Sequence, residues 1–128
     1  MNFPDNFRYT REHEWVSVED GVATVGVTSF AGQELGEIVF VELPDKGRVV
    51  KTGESLCVLE STKAASDVYA PIGGKVLEVN AALSTTPELI NASPHDQGWM
   101  VKLGEADVAS FKKLMTAEEY QAFLNTKE

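Results

Sequence analysis

The sequence predicts a mainly β protein of the α+β class: a small barrel or sandwich of short antiparallel strands, with one short helix in its N-terminal half and helices at its C-terminus. Three observations predict it. Glycine and proline punctuate a series of short segments rich in valine, isoleucine and phenylalanine. The turns joining them are short, and many short strands on short turns favour a barrel or sandwich. Towards the C-terminus the apolar residues change to helical spacing.

The elements follow in order. Segments 15–18 and 22–27 are strands separated by Glu19-Asp20-Gly21, where Asp-Gly is a strong hairpin signal. Thr28 or Ser29 caps a short helix over residues 30–35, which Gly36 stops. Residues 38–43 alternate poorly but are rich in valine and phenylalanine, which predicts a well-buried strand ended by Pro44 and Gly47. Further short strands are expected at 49–50, 55–60, 67–70 and 75–80, with Thr52-Gly53 and Gly73-Gly74 as turns. Residues 81–98, rich in serine, threonine, asparagine and proline, read as loop, and 99–103 as a last strand. Val108, Phe111, Leu114 and Met115 recur at helical spacing, as do Tyr120, Phe123 and Leu124. Thr116 with Glu119 three residues on is a capping box, so two helices are expected to meet at Thr116.

The 128 residues fit one domain, expected to comprise a β core over about 15–103 and a helical segment over about 105–126. The net charge of −9 opposes nucleic acid and anionic membrane as partners and suits a freely diffusing monomer. No apolar run of about eighteen residues suggests a membrane span, and the N-terminus has no visible secretory signal. Cys57 is the single cysteine, which excludes an internal disulfide and points to a reducing compartment. Its apolar neighbours Leu56, Val58 and Leu59 make it a small buried hydrophobe rather than a reactive thiol.

Ordinary active-site signatures are missing. His13 and His95 have no neighbouring ligand at metal spacing, and no nucleophile elbow, phosphate loop or dinucleotide fingerprint is present. The expectation is a non-catalytic protein without a metal. The informative segment is Glu60-Ser61-Thr62-Lys63-Ala64-Ala65-Ser66-Asp67, a polar stretch between two apolar strands. It sets Lys63 at a hairpin tip among small residues, reachable by another protein from several directions. An arbitrary lysine on a turn is merely solvated, and Lys75 beside Gly73-Gly74 is the natural control.

The pattern around Lys63 is more specific. Glu60-x-x-Lys63-Ala64, then Val68-x-Ala70-Pro71-x-x-Gly74-x-Val76-x-Glu78, resembles the modification hairpin of lipoyl-bearing domains. Further blocks are His13-Glu14-Trp15-Val16, Val25-Gly26-Val27-Thr28, Leu35-Gly36-Glu37, Val39-Phe40-Val41-Glu42-Leu43-Pro44 and Gly98-Trp99. Their order and spacing over nearly the whole chain are similar to the H-protein of the glycine cleavage system. One departure is Thr62, where the family more often has valine.

That resemblance implies a barrel-sandwich hybrid like the lipoyl and biotinyl domains, with lipoic acid in amide linkage on Lys63. It implies a cycle of three partners: a pyridoxal-phosphate glycine decarboxylase that loads an aminomethyl group, a tetrahydrofolate-dependent aminomethyltransferase that removes it, and a dihydrolipoamide dehydrogenase that restores the disulfide. A lipoyl ligase or transferase is implied as a fourth. The location implied is bacterial cytoplasm, or the mitochondrial matrix for a mature eukaryotic form. A fragile cargo needs shelter from water, so Glu14 is expected beside a cleft, pairing with the cargo's ammonium, with Asp67 as a second candidate. The competing reading of Glu14 is a solvated strand carboxylate. Trp15 and Trp99 read as core aromatics. Three rivals are weighed. A biotin carrier lysine is typically flanked by methionines, whereas Thr62 and Ala64 flank Lys63. A lipoyl domain of a 2-oxo acid dehydrogenase would be followed by linkers and a catalytic domain. A stand-alone enzyme would use Glu14 and Asp67 as an acid–base pair.

Overall fold

The computed structural model describes residues 3–126. Among these residues nine strands run in chain order: β1 (Arg8–Tyr9), β2 (Glu14–Glu19), β3 (Val22–Val27), β4 (Ile38–Glu42), β5 (Val49–Val50), β6 (Ser55–Ser61), β7 (Ala65–Tyr69), β8 (Gly74–Val79) and β9 (Val101–Gly104). The helices are α1 (Ser29–Leu35), α2 (Ala82–Thr85), α3 (Leu89–Ala92), α4 (Val108–Phe111) and α5 (Ala117–Thr126). All strand pairs are antiparallel. They form a six-stranded sheet in the order β1-β2-β3-β9-β8-β5 and a three-stranded sheet in the order β4-β6-β7. This is the mainly β arrangement of short antiparallel strands that the sequence predicts, with the two-sheet form that the resemblance implies.

Local chemistry explains the joints. Asp20 and Gly21 take φ of 53° and 77°, the left-handed pair that a two-residue hairpin needs, and β2 and β3 pair from Glu19↔Val22 to Glu14↔Val27. Thr28 caps α1 by accepting from the Ala31 N–H, and Gly36 ends it at φ 82°. The capping box of α5 is reciprocal: Thr116 N donates to Glu119 Oε1 at 2.9 Å and Glu119 N to Thr116 Oγ1 at 3.2 Å.

Two cores result. Val16, Val25, Val76 and Leu103 of one sheet meet Val41, Leu59 and Val68 of the other, with Cys57 buried among them. Burial pushes the Cys57 thiol up to about 12, so it stays a protonated hydrophobe. A second, aromatic cluster of Phe3, Tyr9, Trp15 and Tyr120 joins α5 to β1 and β2. Tyr9 stacks on Tyr120 at 4.9 Å, and Trp15 donates its indole N–H to the Pro94 carbonyl. Trp15 is thus a core aromatic, while Trp99 is half-buried at the edge of that cluster.

Trp15 sits directly across from Gly26, where an added Cβ would lie 2.7 Å from the indole. Gly26→Ala therefore forces the ring out of place, and unfolding in urea is expected to show a loss of about 2 kcal/mol.

Four expectations need correction. The strand over 38–43 is not well buried: Ile38 and Val41 are buried and Leu43 partly so, but Val39 and Phe40 are each 50% exposed, because a register shift between Ile38 and Phe40 interrupts the alternation. The stretch 81–98 is not all loop, since α2 and α3 each make one helical turn that buries Leu83 and Ile90. The first C-terminal helix is only the turn α4. Met115 lies outside it and bridges Tyr9, so the helices do not meet at Thr116. Finally, pairing starts at Arg8, ahead of the first predicted strand, through the two-residue β1.

Candidate functional site

The tip between β6 and β7 is closed by Ser61. Its hydroxyl oxygen accepts from the N–H groups of Lys63 (3.1 Å) and Ala64 (3.2 Å), and Ser61 N donates to the Ala64 carbonyl at 2.9 Å. Thr62 N donates to the Glu37 carbonyl at 3.2 Å, which ties the tip to the turn before β4. Lys63 is exposed at the apex. Its stem lies over Gly36: a Cβ added there would sit 3.4 Å from Lys63 Cε and 3.8 Å from Nζ. Gly36 thus both supplies a positive-φ C-cap, which a side chain would strain, and leaves room for the lysine. Lys75, the control, is instead a mid-strand residue paired with Val49 and Gly104.

Leu35, the neighbour of Gly36, is a wall of a cleft of about 180 Å³. Val27, Ala31, Leu59 and Val68 supply its other apolar surface; Glu14, Asp67 and His13 line it together with Glu12, Glu34 and Ser66, none of which the sequence singles out as a site residue. The two carboxylates named from sequence therefore line one cleft, and Leu35 in its wall adjoins Gly36, over which the lysine stem lies. Their environments differ. Asp67 is exposed and accepts from Ser55 Oγ at 2.9 Å. Glu14 is 3% exposed, which overturns its reading as a solvated strand carboxylate.

Glu14 is held by a local knot. Thr10 N donates to the Glu14 carbonyl at 3.0 Å, and Glu14 N donates to Thr10 Oγ1 at 3.1 Å. The Thr10 hydroxyl in turn donates to Glu14 Oε1 at 2.6 Å, and Tyr69 N donates to Oε2 at 3.3 Å. Burial outweighs these bonds and pushes the carboxyl up to about 7. Near neutral pH the group is poised between charged and neutral, so a cationic amine entering the cleft would draw out its charged form.

His13, within the knot, has φ 71°, uncommon for a side-chain-bearing residue. Its conformation is over-determined: His13 N donates to the Thr10 carbonyl, its own carbonyl accepts from Thr28 N, and its Nδ1 lies 2.7 Å from the Tyr120 hydroxyl. Tyr120 Oη is also 2.9 Å from Thr28 Oγ1, and burial pushes its hydroxyl up to about 12. Helix α5 thereby reaches the cleft wall. The sequence shows His13 without a metal-spaced neighbour and as part of the His13-Glu14-Trp15-Val16 block, and Tyr120 as helix spacing; no sequence pattern announces a positive φ or a hydroxyl chain between distant segments. Among the described residues, no group of three His, Cys, Asp or Glu side chains could hold a metal ion.

The site fits an acyl arm on Lys63. An extended lysine stem plus a lipoyl chain spans roughly 12–15 Å. The amine starts beside Gly36, next in the chain to Leu35 of the cleft wall; that cleft has aliphatic walls, and the buried Glu14 is among its lining residues.

Comparison with known proteins bears on the same residues. The family model described as "Glycine cleavage H-protein" matches residues 7–127. The glycine cleavage system H protein of Caulobacter vibrioides is 53% identical over 119 residues, 93% of this chain and 98% of that one. Its counterpart from Anaeromyxobacter sp. (strain K) is 50% identical over 128 residues, the whole of both chains. The crystal structure of a glycine cleavage system H protein from Mycobacterium marinum superposes with a TM-score of 0.88 at 37% identity, covering 96% of this chain and 99% of that one.

Proposed function

The chain belongs to the glycine cleavage H-protein family, and on that premise we propose that it is a non-catalytic carrier bearing lipoic acid in amide linkage on Lys63. It takes the aminomethyl group of glycine from the pyridoxal-phosphate decarboxylase to the tetrahydrofolate-dependent aminomethyltransferase, and dihydrolipoamide dehydrogenase then resets it. The likeness over residues 7–127 favours this reading over a biotinyl carrier or a 2-oxo acid dehydrogenase domain. The bacterial relatives support a cytoplasmic location. No helix among the described residues is long and apolar enough to cross a membrane.

The observation that carries the proposal is the placement of Lys63: exposed at a hairpin tip, its stem resting on Gly36, the chain neighbour of Leu35 in the wall of a cleft that Glu14 also lines. The bound lipoyl group supplies a disulfide that accepts both the one-carbon unit and two electrons. The polypeptide supplies the rest. The Ser61 hydroxyl and the Glu37 carbonyl hold the tip still, so the lysine stem is the hinge. The apolar walls Val27, Leu35 and Leu59 exclude water from a cargo that hydrolyses easily. Glu14, and Asp67 more weakly because it is exposed, pair with the cargo's ammonium. Covalent tethering keeps the cargo at an effective concentration of about millimolar near a docked partner.

The test is reconstitution. Lipoylated protein is combined with the three partner enzymes, glycine, tetrahydrofolate and NAD, and NADH formation is followed. Turnover proportional to the lipoylated carrier is expected. No turnover with fully lipoylated material would refute the proposal.

A further inference from the structure

Strand β4 reads Ile38-Val39-Phe40-Val41-Glu42, and regular alternation would bury Phe40 beside Ile38. The register shift between Ile38 and Phe40 prevents this, and both Val39 and Phe40 stand half in solvent. Bulges of this kind re-aim side chains beside functional sites. Register shows what surrounds Phe40. It lies opposite Glu60, which lies opposite Ala65; Glu42 lies opposite Val58, which lies opposite Asp67. Directly opposed residues share a face, so the outer face of this sheet carries Phe40 between two exposed carboxylates, Glu42 and Glu60. Glu37, also exposed, precedes the strand.

This face adjoins the lysine. Ile38 pairs with Ser61, and the Glu37 carbonyl holds Thr62. Reach then decides which partner must touch it. The unmodified Nζ stands only about 6 Å from its Cα, and its stem lies along Gly36. An enzyme that acylates it has to bring its own acyl carbon to that nitrogen, and so has to press against the neighbouring strand. Partners that meet the finished arm have roughly 12–15 Å of reach and need no such approach.

The geometry points to Val39 and Phe40, within their acidic rim, as the docking surface for the enzyme that installs the lipoyl group. The partner is an ATP-dependent ligase presenting lipoyl adenylate from a basic surface with an apolar slot. This rests on the proposal that Lys63 is lipoylated. In the step, the neutral Lys63 amine attacks the acyl carbon, the amide C–N bond forms, the acyl–O bond to AMP breaks, and the amine proton leaves to water. ATP supplied the activation earlier, with release of pyrophosphate.

Unmodified protein is titrated against a lipoate–protein ligase with ATP and lipoate, and initial acylation rates are read by intact mass. For Val39→Ser/Phe40→Ser, KM for the carrier is expected to rise at least about tenfold with kcat within about twofold, a loss of about 1.4 kcal/mol in recognition. Phe40→Ala should move KM the same way, and serves if the double variant does not fold. Leu77→Ser, at an equally exposed apolar position on β8 of the other sheet, should match wild type. Glu42→Gln/Glu60→Gln should slow acylation at low salt, with the difference vanishing near about 0.5 M salt. Wild-type KM in both the Val39/Phe40 and the Phe40→Ala variants, or equal impairment by Leu77→Ser, would overturn the assignment. A wild-type protein that is never acylated would instead remove the proposed function beneath it.

Discussion

Lys63→Arg is expected to abolish glycine-dependent NADH formation in the reconstituted system while leaving the fold intact. Arginine keeps the positive charge and the long stem, but its guanidinium stays protonated and does not accept an acyl group under these conditions. The side chain it replaces is exposed, and its structural contact is the stem lying over Gly36. Unfolding free energy should therefore change by less than about 0.5 kcal/mol. Loss of all turnover with an unchanged urea transition is the signature of a residue that bears a group rather than supports a fold. Substantial turnover in the variant would move the attachment elsewhere, and Lys75→Arg is the paired control expected to behave as wild type.

The second large effect concerns Glu14, for which stability and function should move in opposite directions. Its carboxyl stands at about 7 when folded against an ordinary value of 4.5. Between these values the folded chain binds more protons than the unfolded chain, so stability falls as pH rises through that window, and the full cost is reached above about pH 7. A shift of that size corresponds to about 3 kcal/mol, and at 3% exposure solvent screening does little to reduce it. Glu14→Gln keeps the shape and can still accept from Tyr69 N, but it has no charge to bury. The empty variant should be more stable than wild type by about 1–3 kcal/mol at pH 8 and nearly equal at pH 4. Retention of the aminomethyl cargo should shorten by about tenfold or more, since the ammonium loses its partner. A variant with the wild-type pH profile would contradict the buried-carboxyl account, and unchanged retention would contradict the pairing.

Much of this was legible in the chain because the signals are local. Asp20-Gly21 specifies its hairpin, Gly36 its helix end, and Thr116 with Glu119 its capping box, each by chemistry within a few residues. The hairpin tip that bears Lys63 was legible for the same reason, since a polar stretch between two apolar strands is a short-range pattern, whereas the choice of Lys63 over Lys75 rests on the resemblance to lipoyl-bearing domains. What escaped depends on distant contacts. The buried state of Glu14 requires Tyr69, 55 positions away, and the hold on His13 requires Tyr120, 107 positions away. The outward turn of Phe40 depends on one shifted pairing against β6, which composition does not encode, so from sequence the apolar strand looks buried. The one-turn helices α2 and α3 are too short for periodicity to register.

The most direct measurement is the mass of the proteolytic peptide containing Lys63, taken from protein isolated from its own cells. One lipoyl group in amide linkage on that nitrogen is the predicted result. A peptide that is always unmodified, or a lipoyl group found on any other lysine, would contradict it.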